Sequence, residues 1–322
     1  MRAILVPSPG DASALVVSDV PDPVPAAGEV LIEVAAAGVN RADVNQREGH
    51  YPSPAGSPEW PGLEVSGTVS ALGEGVSSVA VGDRVCALLG GGGYAEKVAV
   101  PALQVLAVPE SVDLIEAAGL MEVAATVWSM VFRTAGLREG ELLLVHGGSS
   151  GIGTMAIQMA REAGARVAVT AGSAAKLEVC ASLGAEILID YHSDDFVERM
   201  SAEGGADVIL DVVGGPYLER NVQALARDGR IVNLGALGGA TGTLDFGALM
   251  RKRGSVAAAS LRARDPEDKA SVVAGVARDV WPAVASGAVR PVIHGRFPFE
   301  KAGDAHRLME SSEHIGKILL VP

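Results

Sequence analysis

The alternation of apolar and polar positions changes rhythm once along the chain. Over roughly the first 120 residues, short apolar runs alternate with Pro and Gly, as in VLIEVAAAGV (30–39), GLEVSGTVSAL (62–72) and VGDRVCALL (81–89). Short Val-rich runs bounded by turn formers predict strands. No helical period there outlasts two turns, apart from the piece after Asn40. From Leu142 the order becomes strand, helix, strand, helix. Leu142–His146 is an apolar strand, after which Ile152, Met155, Ala156, Met159, Ala160 and Ala163 recur at helical spacing and Gly164 supplies the stop. Arg166–Thr170 predicts a second strand. Ser173 then caps a helix with Leu177, Cys180 and Leu183 on one face, closed by Gly184. EILID (186–190), DVILDVVG (207–214), RIVNLG (230–235) and SVAAASL (255–261) complete six strands. Six strands with intervening helices predict an α/β fold, a doubly wound parallel sheet in the order 3-2-1-4-5-6. The tail from about residue 263 adds a long helix and a strand pair, VIHGRFPF and IGKILLVP.

Composition narrows the function classes. At 322 residues the chain suits two domains or one large α/β unit. Aromatics are only 4% against 40 glycines, which disfavours a stacking platform for single-stranded nucleic acid and suits close helix-on-sheet packing. The net charge of −13, with no basic cluster beyond Arg251–Arg253, argues against nucleic acid or an anionic membrane as partner. Cys86 and Cys180 form no CxxC, so neither a disulfide framework nor a zinc lobe is indicated. MRAILVPSPGDAS lacks a leader pattern and no run approaches 18 apolar residues, so a soluble, cytoplasmic protein is expected.

The loop between the first two strands of the parallel sheet carries the chemistry. HGGSSGIG (146–153) keeps side chains small, and Gly151 and Gly153 let backbone and helix N-terminus, with Ser150 and Ile152, approach a pyrophosphate. A glycine motif alone is weak, but its place between strand and amphipathic helix makes it a dinucleotide site. The second strand ends Val169-Thr170-Ala171-Gly172-Ser173, without the acid that an NAD site uses for the ribose. Ser173 and Lys176 open the next helix, where hydroxyl, ammonium and amide groups suit an extra phosphate, so NADPH is expected over NADH. The same loop type serves short-chain dehydrogenases, which need Tyr-x-x-x-Lys. The residues four past Tyr51, Tyr94, Tyr191 and Tyr217 are Ala55, Val98, Asp195 and Asn221, so that reading fails.

GVNRADVNQREGHYP (38–52), GLEVSGTV, GDRVCALLGGGGYAEKVAVP, AAGLMEVAATVW, TAGSAAKLEVCASLGAE, LDVVGG and HIGKILL together resemble the zinc-free quinone oxidoreductase branch of the medium-chain dehydrogenase/reductase superfamily. The resemblance spans essentially the whole chain, nearest to the p53-inducible quinone oxidoreductase type, with zeta-crystallin more distant. It implies a Rossmann sheet over 123–262 and a β-rich, GroES-like catalytic domain from 1–122 and 263–322. Zinc-dependent relatives carry a cysteine ligand where Asn40 stands, Gly-His-Glu where this chain has Gly62-Leu63-Glu64, and a third ligand at Glu122. Asn and Leu cannot build a thiolate–imidazole site, and the six histidines show no metal-ligand spacing, so no metal is expected.

The resemblance places Asn40, Asp43, Tyr51, Glu122 and Thr126 around nicotinamide and substrate. Tyr51 either hydrogen-bonds the substrate oxygen or shapes the lip of the cleft. Asn40 either orients substrate or cofactor amide or forms a turn. Asp43 braces its loop rather than transferring protons, Glu122 bonds ribose or water, and Thr126 reaches a ribose or phosphate oxygen or simply points inward. Tyr191 joins Ser173 and Lys176 at the adenosine phosphate. Val213–Gly214, Gly235-Ala236-Leu237 and Ser260-Leu261-Arg262 line the cofactor trough, and Lys317 approaches the cofactor. Ser149-Ser150 departs from relatives without enlarging the loop, and GGGG before Tyr94 is either a mobile loop or a surface hairpin. The implied substrate is a quinone; a conjugated enone or alkenal is the alternative within enzymes, and a cofactor-binding structural or RNA-binding protein the alternative outside them. The same likeness implies a homodimer paired through the last strand of the nucleotide sheet, where SVAAASL reads either as the apolar edge at that joint or as a buried strand.

Overall fold

The N-terminal apolar pairs form a hairpin in which β1 (Arg2–Leu5) pairs antiparallel with β2 (Val16–Asp19). The longest strand, β3 (Glu29–Val39), follows, then helix α1 (Arg41–Arg47) and strands β4 (Glu64–Leu72), β5 (Arg84–Leu88), β6 (Lys97–Pro101) and β7 (Val105–Ala107). Helix α2 (Met121–Val127) precedes a regular succession: β8 (Leu142–His146), α3 (Gly151–Glu162), β9 (Arg166–Ala171), α4 (Ala174–Leu183), β10 (Ile187–Asp190) and α5 (Phe196–Ala202). It continues through β11 (Ala206–Asp211), α6 (Gly215–Ala224), β12 (Leu225–Asn233), α7 (Phe246–Lys252) and β13 (Ser255–Ala258). The tail holds α8 (Pro266–Asp279), α9 (Trp281–Ser286), β14 (Ile293–Pro298), α10 (Ala302–Ser311) and β15 (Lys317–Val321). This computed structural model describes residues 1–322, which divide into two units, 1–125 with 262–322, and 126–261.

In the first unit, β3 is the hub of a sheet ordered β14-β15-β3-β4-β5-β7, with β6 also paired to β3. Val30, Ile32 and Val34 alternate inward, and the strand is buried on both sides from Ala36 onward. Its inner face packs with Val65, Val85, Tyr94, Val98, Phe299 and Leu320 into one core. Gly67 of β4 is required by a neighbour: a Cβ there would stand 2.0 Å from the Glu33 carbonyl oxygen.

The second unit is the doubly wound sheet, β10-β9-β8-β11-β12-β13, all parallel, which in its own strand order is 3-2-1-4-5-6. Strand β8 is buried throughout, as expected of a central parallel strand covered on both faces. Boundaries depart from the sequence expectation at strand ends. Strand β11 stops at Asp211 because the carboxylate accepts from the Val213 and Gly214 N–H groups and turns the chain out of the ladder. Strand β13 stops at Ala258. The long helix expected in the tail is two helices, α8 and α9, since Pro282 cannot donate to the preceding turn. Helix α10, amphipathic and buried at Ala302, Ala305, His306 and Met309, was not anticipated.

Candidate active site

In the second unit, the chain leaves β8 through Gly147 at φ +72°, a conformation that a side chain disfavours. Thr170, at the end of β9, holds this turn: its carbonyl accepts from Gly148 N–H at 2.9 Å and its Oγ1 from Gly147 N–H at 3.3 Å. Ser150 caps α3, its Oγ accepting from Gly153 N–H at 3.0 Å. The N–H groups of Gly151 and Ile152 have no partner in the first turn, as at any helix start, and leave an anion-binding terminus. Gly153 is sterically fixed, because a Cβ would lie 2.4 Å from the Gly147 carbonyl oxygen and 2.5 Å from that of Gly148.

The other residues expected to line the trough stand on loops that follow the carboxyl ends of parallel strands, where open α/β sheets bind ligands. Gly214, at φ +89°, follows β11. Leu237 donates its N–H to Val212 O at 3.2 Å and is 59% exposed. A Cβ on Gly235 would lie 3.0 Å from Val212 O. Ser260 and Leu261 follow β13. A buried network braces these loops from below. Asp211 accepts from Asn221 and Asn233 side chains, each at 3.2 Å, and Asn221 Oδ1 lies 2.8 Å from His146 Nε2. That fixes Nε2 as the protonated nitrogen, and burial lowers the His146 pKa, so the ring is neutral.

At the end of β9, Ser173 caps α4, its Oγ accepting from Lys176 N–H at 3.4 Å. Tyr191 crosses over this turn: a Cβ on Gly172 would come within 2.2 Å of its hydroxyl oxygen. Ser173, Lys176 and Tyr191 therefore share one corner, and no carboxylate closes β9. Thr126 lies on α2 and is 7% exposed.

The first unit holds a second, fully polar cluster. Glu64, at the start of β4, is completely buried. Its Oε1 receives the Lys317 ammonium at 2.7 Å and Asn40 Nδ2 at 3.1 Å, and its Oε2 accepts from the Glu122 backbone N–H at 2.9 Å. Lys317 Nζ also donates to Asn40 Oδ1 at 2.6 Å and Val39 O at 3.0 Å. All three ammonium donors thus have protein acceptors. The Lys317 charge is thus directed at Asn40 and Glu64. The residues at the expected zinc positions do not fit that metal: one is an amide, one is leucine, and a tethered ammonium already neutralises the nearby carboxylate. No group of three or more His, Cys, Asp or Glu side chains gathers elsewhere in the chain.

Asp43, completely buried on α1, accepts from Asn40 N–H at 2.8 Å, Gly62 N–H at 3.0 Å and the Tyr94 hydroxyl at 3.2 Å. Burial raises its pKa to about 6 despite these donors. Behind Tyr94, His306 Nε2 lies 3.1 Å from the tyrosine oxygen and Nδ1 lies 3.4 Å from Arg47 Nη1. Arginine can only donate, so Nδ1 accepts and Nε2 carries the proton. Every bond in the chain then runs one way, from Arg47 through His306 and Tyr94 to Asp43. Burial, then the Arg47 charge, lowers the His306 pKa to about 3, keeping the ring neutral. Arg47 ends the chain against Glu310 and Glu48, at 2.8 and 2.9 Å. Since Arg47 does not release a proton, this arrangement orients Asp43 rather than conducting protons to it.

Tyr51 lies beside a third group. The Arg262 guanidinium carbon stands 5.0 Å from its ring centre, and Nη1 donates to the Tyr51 carbonyl at 3.0 Å. Arg262 Nη2 also reaches Gln46 Oε1 at 2.7 Å. The structure therefore joins Asn40 and the Glu122 backbone through Glu64, and ties Tyr51 to the far end of α1 through Arg262. Sequence reasoning missed Glu64, Tyr94, His306 and the side chain of Arg262.

Residues 26–110 match the alcohol dehydrogenase GroES-like domain, and residues 151–277 match the zinc-binding dehydrogenase family. A quinone oxidoreductase from Rattus norvegicus is 32% identical, covering 100% of this chain and 98% of its own length. The solved structure of Escherichia coli quinone oxidoreductase complexed with NADPH superimposes with a TM-score of 0.89 at 28% identity, covering 100% of both chains. That of an NAD-dependent alcohol dehydrogenase gives 0.88 at 31%, again covering both chains completely.

Proposed function

This chain belongs to the medium-chain dehydrogenase/reductase superfamily, and on that premise we propose that it is an NADPH-dependent quinone oxidoreductase that works without zinc. The observation that carries the reading is the Asn40–Lys317–Glu64 contact, a buried fixed charge where zinc-dependent relatives are expected to hold their ion. Of two solved likenesses, one is an NADPH complex and the other an NAD-dependent enzyme, so the choice rests on this chain's own residues. No carboxylate closes β9, and Ser173, Lys176 and Tyr191 beside its end offer donors to a ribose phosphate, which favours NADPH.

Bound NADPH supplies a hydride. The sum is quinone plus NADPH plus a proton giving hydroquinone and oxidised cofactor. Without a Lewis acid, the residues must orient the acceptor and stabilise negative charge on its oxygen. Asn40 is held at both ends of its amide, so it presents one fixed face to a ligand. Tyr51 is the donor we assign to the substrate oxygen, its ring steadied by Arg262. Asp43 braces the α1 turn, and Glu122 and Thr126 are assigned to the ribose side. Quinones suit such a site because they accept hydride without metal polarisation.

NADPH and NADH oxidation with ortho- and para-quinones and conjugated enones tests the reading. Quinones are expected to outrun enones, and NADPH to outrun NADH. Lys176→Ala is expected to raise KM for NADPH about tenfold, the worth of one charge-assisted hydrogen bond, and to leave NADH little changed. Equal losses with both cofactors would remove the phosphate assignment. We also place a second copy of the chain against β13, an edge strand with Val256 38% exposed and an open row of backbone donors and acceptors. Light scattering should give twice the 32.8 kDa chain mass.

A further inference from the structure

Two buried cations lie side by side in the first unit. Arg262 is 5% exposed and Lys269, on the first turn of α8, is 7% exposed. Four of the five Arg262 donors meet neutral oxygens: Gly90 O at 2.7 Å, Tyr51 O at 3.0 Å, Gln46 Oε1 at 2.7 Å and Ser53 Oγ at 3.1 Å. Among carboxylates only Asp43 acts on Arg262, and without contact. Lys269 has no carboxylate partner and no hydrogen-bond acceptor in the protein; the charge that acts on it is Arg262. Its stem is covered while its ammonium still meets solvent. The start of a helix is also the wrong end for a cation, because the helix dipole is positive there. A buried, uncompensated pair of like charges is costly unless an anion joins it.

The four-glycine loop completes the setting. A Cβ on Gly90 would stand 2.4 Å from Ser57 Oγ and 3.8 Å from Lys269 Nζ; one on Gly91 would stand 3.3 Å from Ser53 Oγ and 3.4 Å from Arg262 Nη2. Gly90 and Ser57 thus lie beside Lys269, and Gly91 and Ser53 beside Arg262, whose guanidinium carbon stands 5.0 Å from the Tyr51 ring centre. We propose that Lys269 and Arg262 receive an acidic substituent of the substrate, so that the chain selects quinones bearing a carboxylate or a similar oxyanion. This rests on the quinone-reductase reading and names the substrate class within it.

The test compares 1,2-naphthoquinone-4-sulfonate with 1,2-naphthoquinone as acceptors. The wild-type enzyme is expected to favour the sulfonate about tenfold in kcat/KM, mainly through KM, the size of one charge-assisted contact. Lys269→Met keeps the stem and should bring that ratio near one, whereas Lys269→Arg should keep the preference. A ratio unmoved by Lys269→Met overturns the proposal. If neither quinone is reduced, the quinone reading fails, and calorimetry with naphthalene-2-sulfonate against 2-naphthol decides the anion site without turnover. Binding of the sulfonate weakened at least fivefold by Lys269→Met, with 2-naphthol less affected, supports the site. Equal affinity in the variant, or no sulfonate binding by wild type, removes it.

Discussion

Gly153→Val is expected to abolish NADPH binding in the working range, raising its dissociation constant about a hundredfold or more. The Cβ alone would meet two backbone carbonyl oxygens at 2.4 and 2.5 Å, and valine adds two methyl groups to that collision. Backbone on one side and a helix on the other leave no flexible side chain to yield. The turn must open or α3 must slide, and either movement takes the Gly151 and Ile152 N–H groups away from the position proposed for the pyrophosphate. A hundredfold loss corresponds to about 3 kcal/mol. Overpacking should also cost about 1–3 kcal/mol of stability. Fluorescence titration of NADPH, with a circular-dichroism melt to confirm folding, reads both. Near-wild-type affinity in a folded Gly153→Val protein would refute the pyrophosphate assignment.

The second large effect is a pair of opposed pH dependences. His306 has its pKa lowered from 6.5 to about 3 in the folded chain, so its contribution is intact above pH 6.5 and is lost as pH falls toward 3. Asp43 has its pKa raised from 3.8 to about 6, so its contribution is intact below 3.8 and is lost as pH rises through 6. Between about pH 6 and 4 each slope amounts to roughly 1.4 kcal/mol per pH unit, with opposite sign. In wild type the two offset one another. Asp43→Asn is expected to lose stability to acid faster than wild type, by about 2–3 kcal/mol across that interval. His306→Gln, which keeps an acceptor and a donor, is expected to lose it more slowly by a similar amount. Urea denaturation at a series of pH values compares slopes, so the lower baseline of each variant does not matter. Parallel curves for all three proteins would contradict the assigned ionisation states.

The parts legible from sequence were those written locally. The glycine turn, the Ser173 cap and the Gly184 stop lie within a few residues of what they control, and strand order followed from alternating elements. The polar clusters were not legible because their members are far apart in the chain. Lys317 and Asn40 are separated by 277 positions, Tyr94 and His306 by 212, and Arg262 and Gln46 by 216. A histidine on an amphipathic helix and a lysine at the start of a terminal strand carry no local mark of such partners. Lys269 was hidden more fully, since a lysine in a helical first turn ordinarily reads as solvated surface. Strand ends were misjudged for a related reason: Asp211 ends β11 by capping the turn that follows, a choice between two hydrogen-bonding patterns that apolar periodicity does not register.

The ammonium of Lys317 reaches the Asn40–Glu64 pair on a four-carbon tether. A cation carried by the polypeptide has no dissociation constant: dialysis and chelators leave it in place, and competing ions cannot exchange with it. The charge at that spot arrives with folding itself, independent of any trace-element supply.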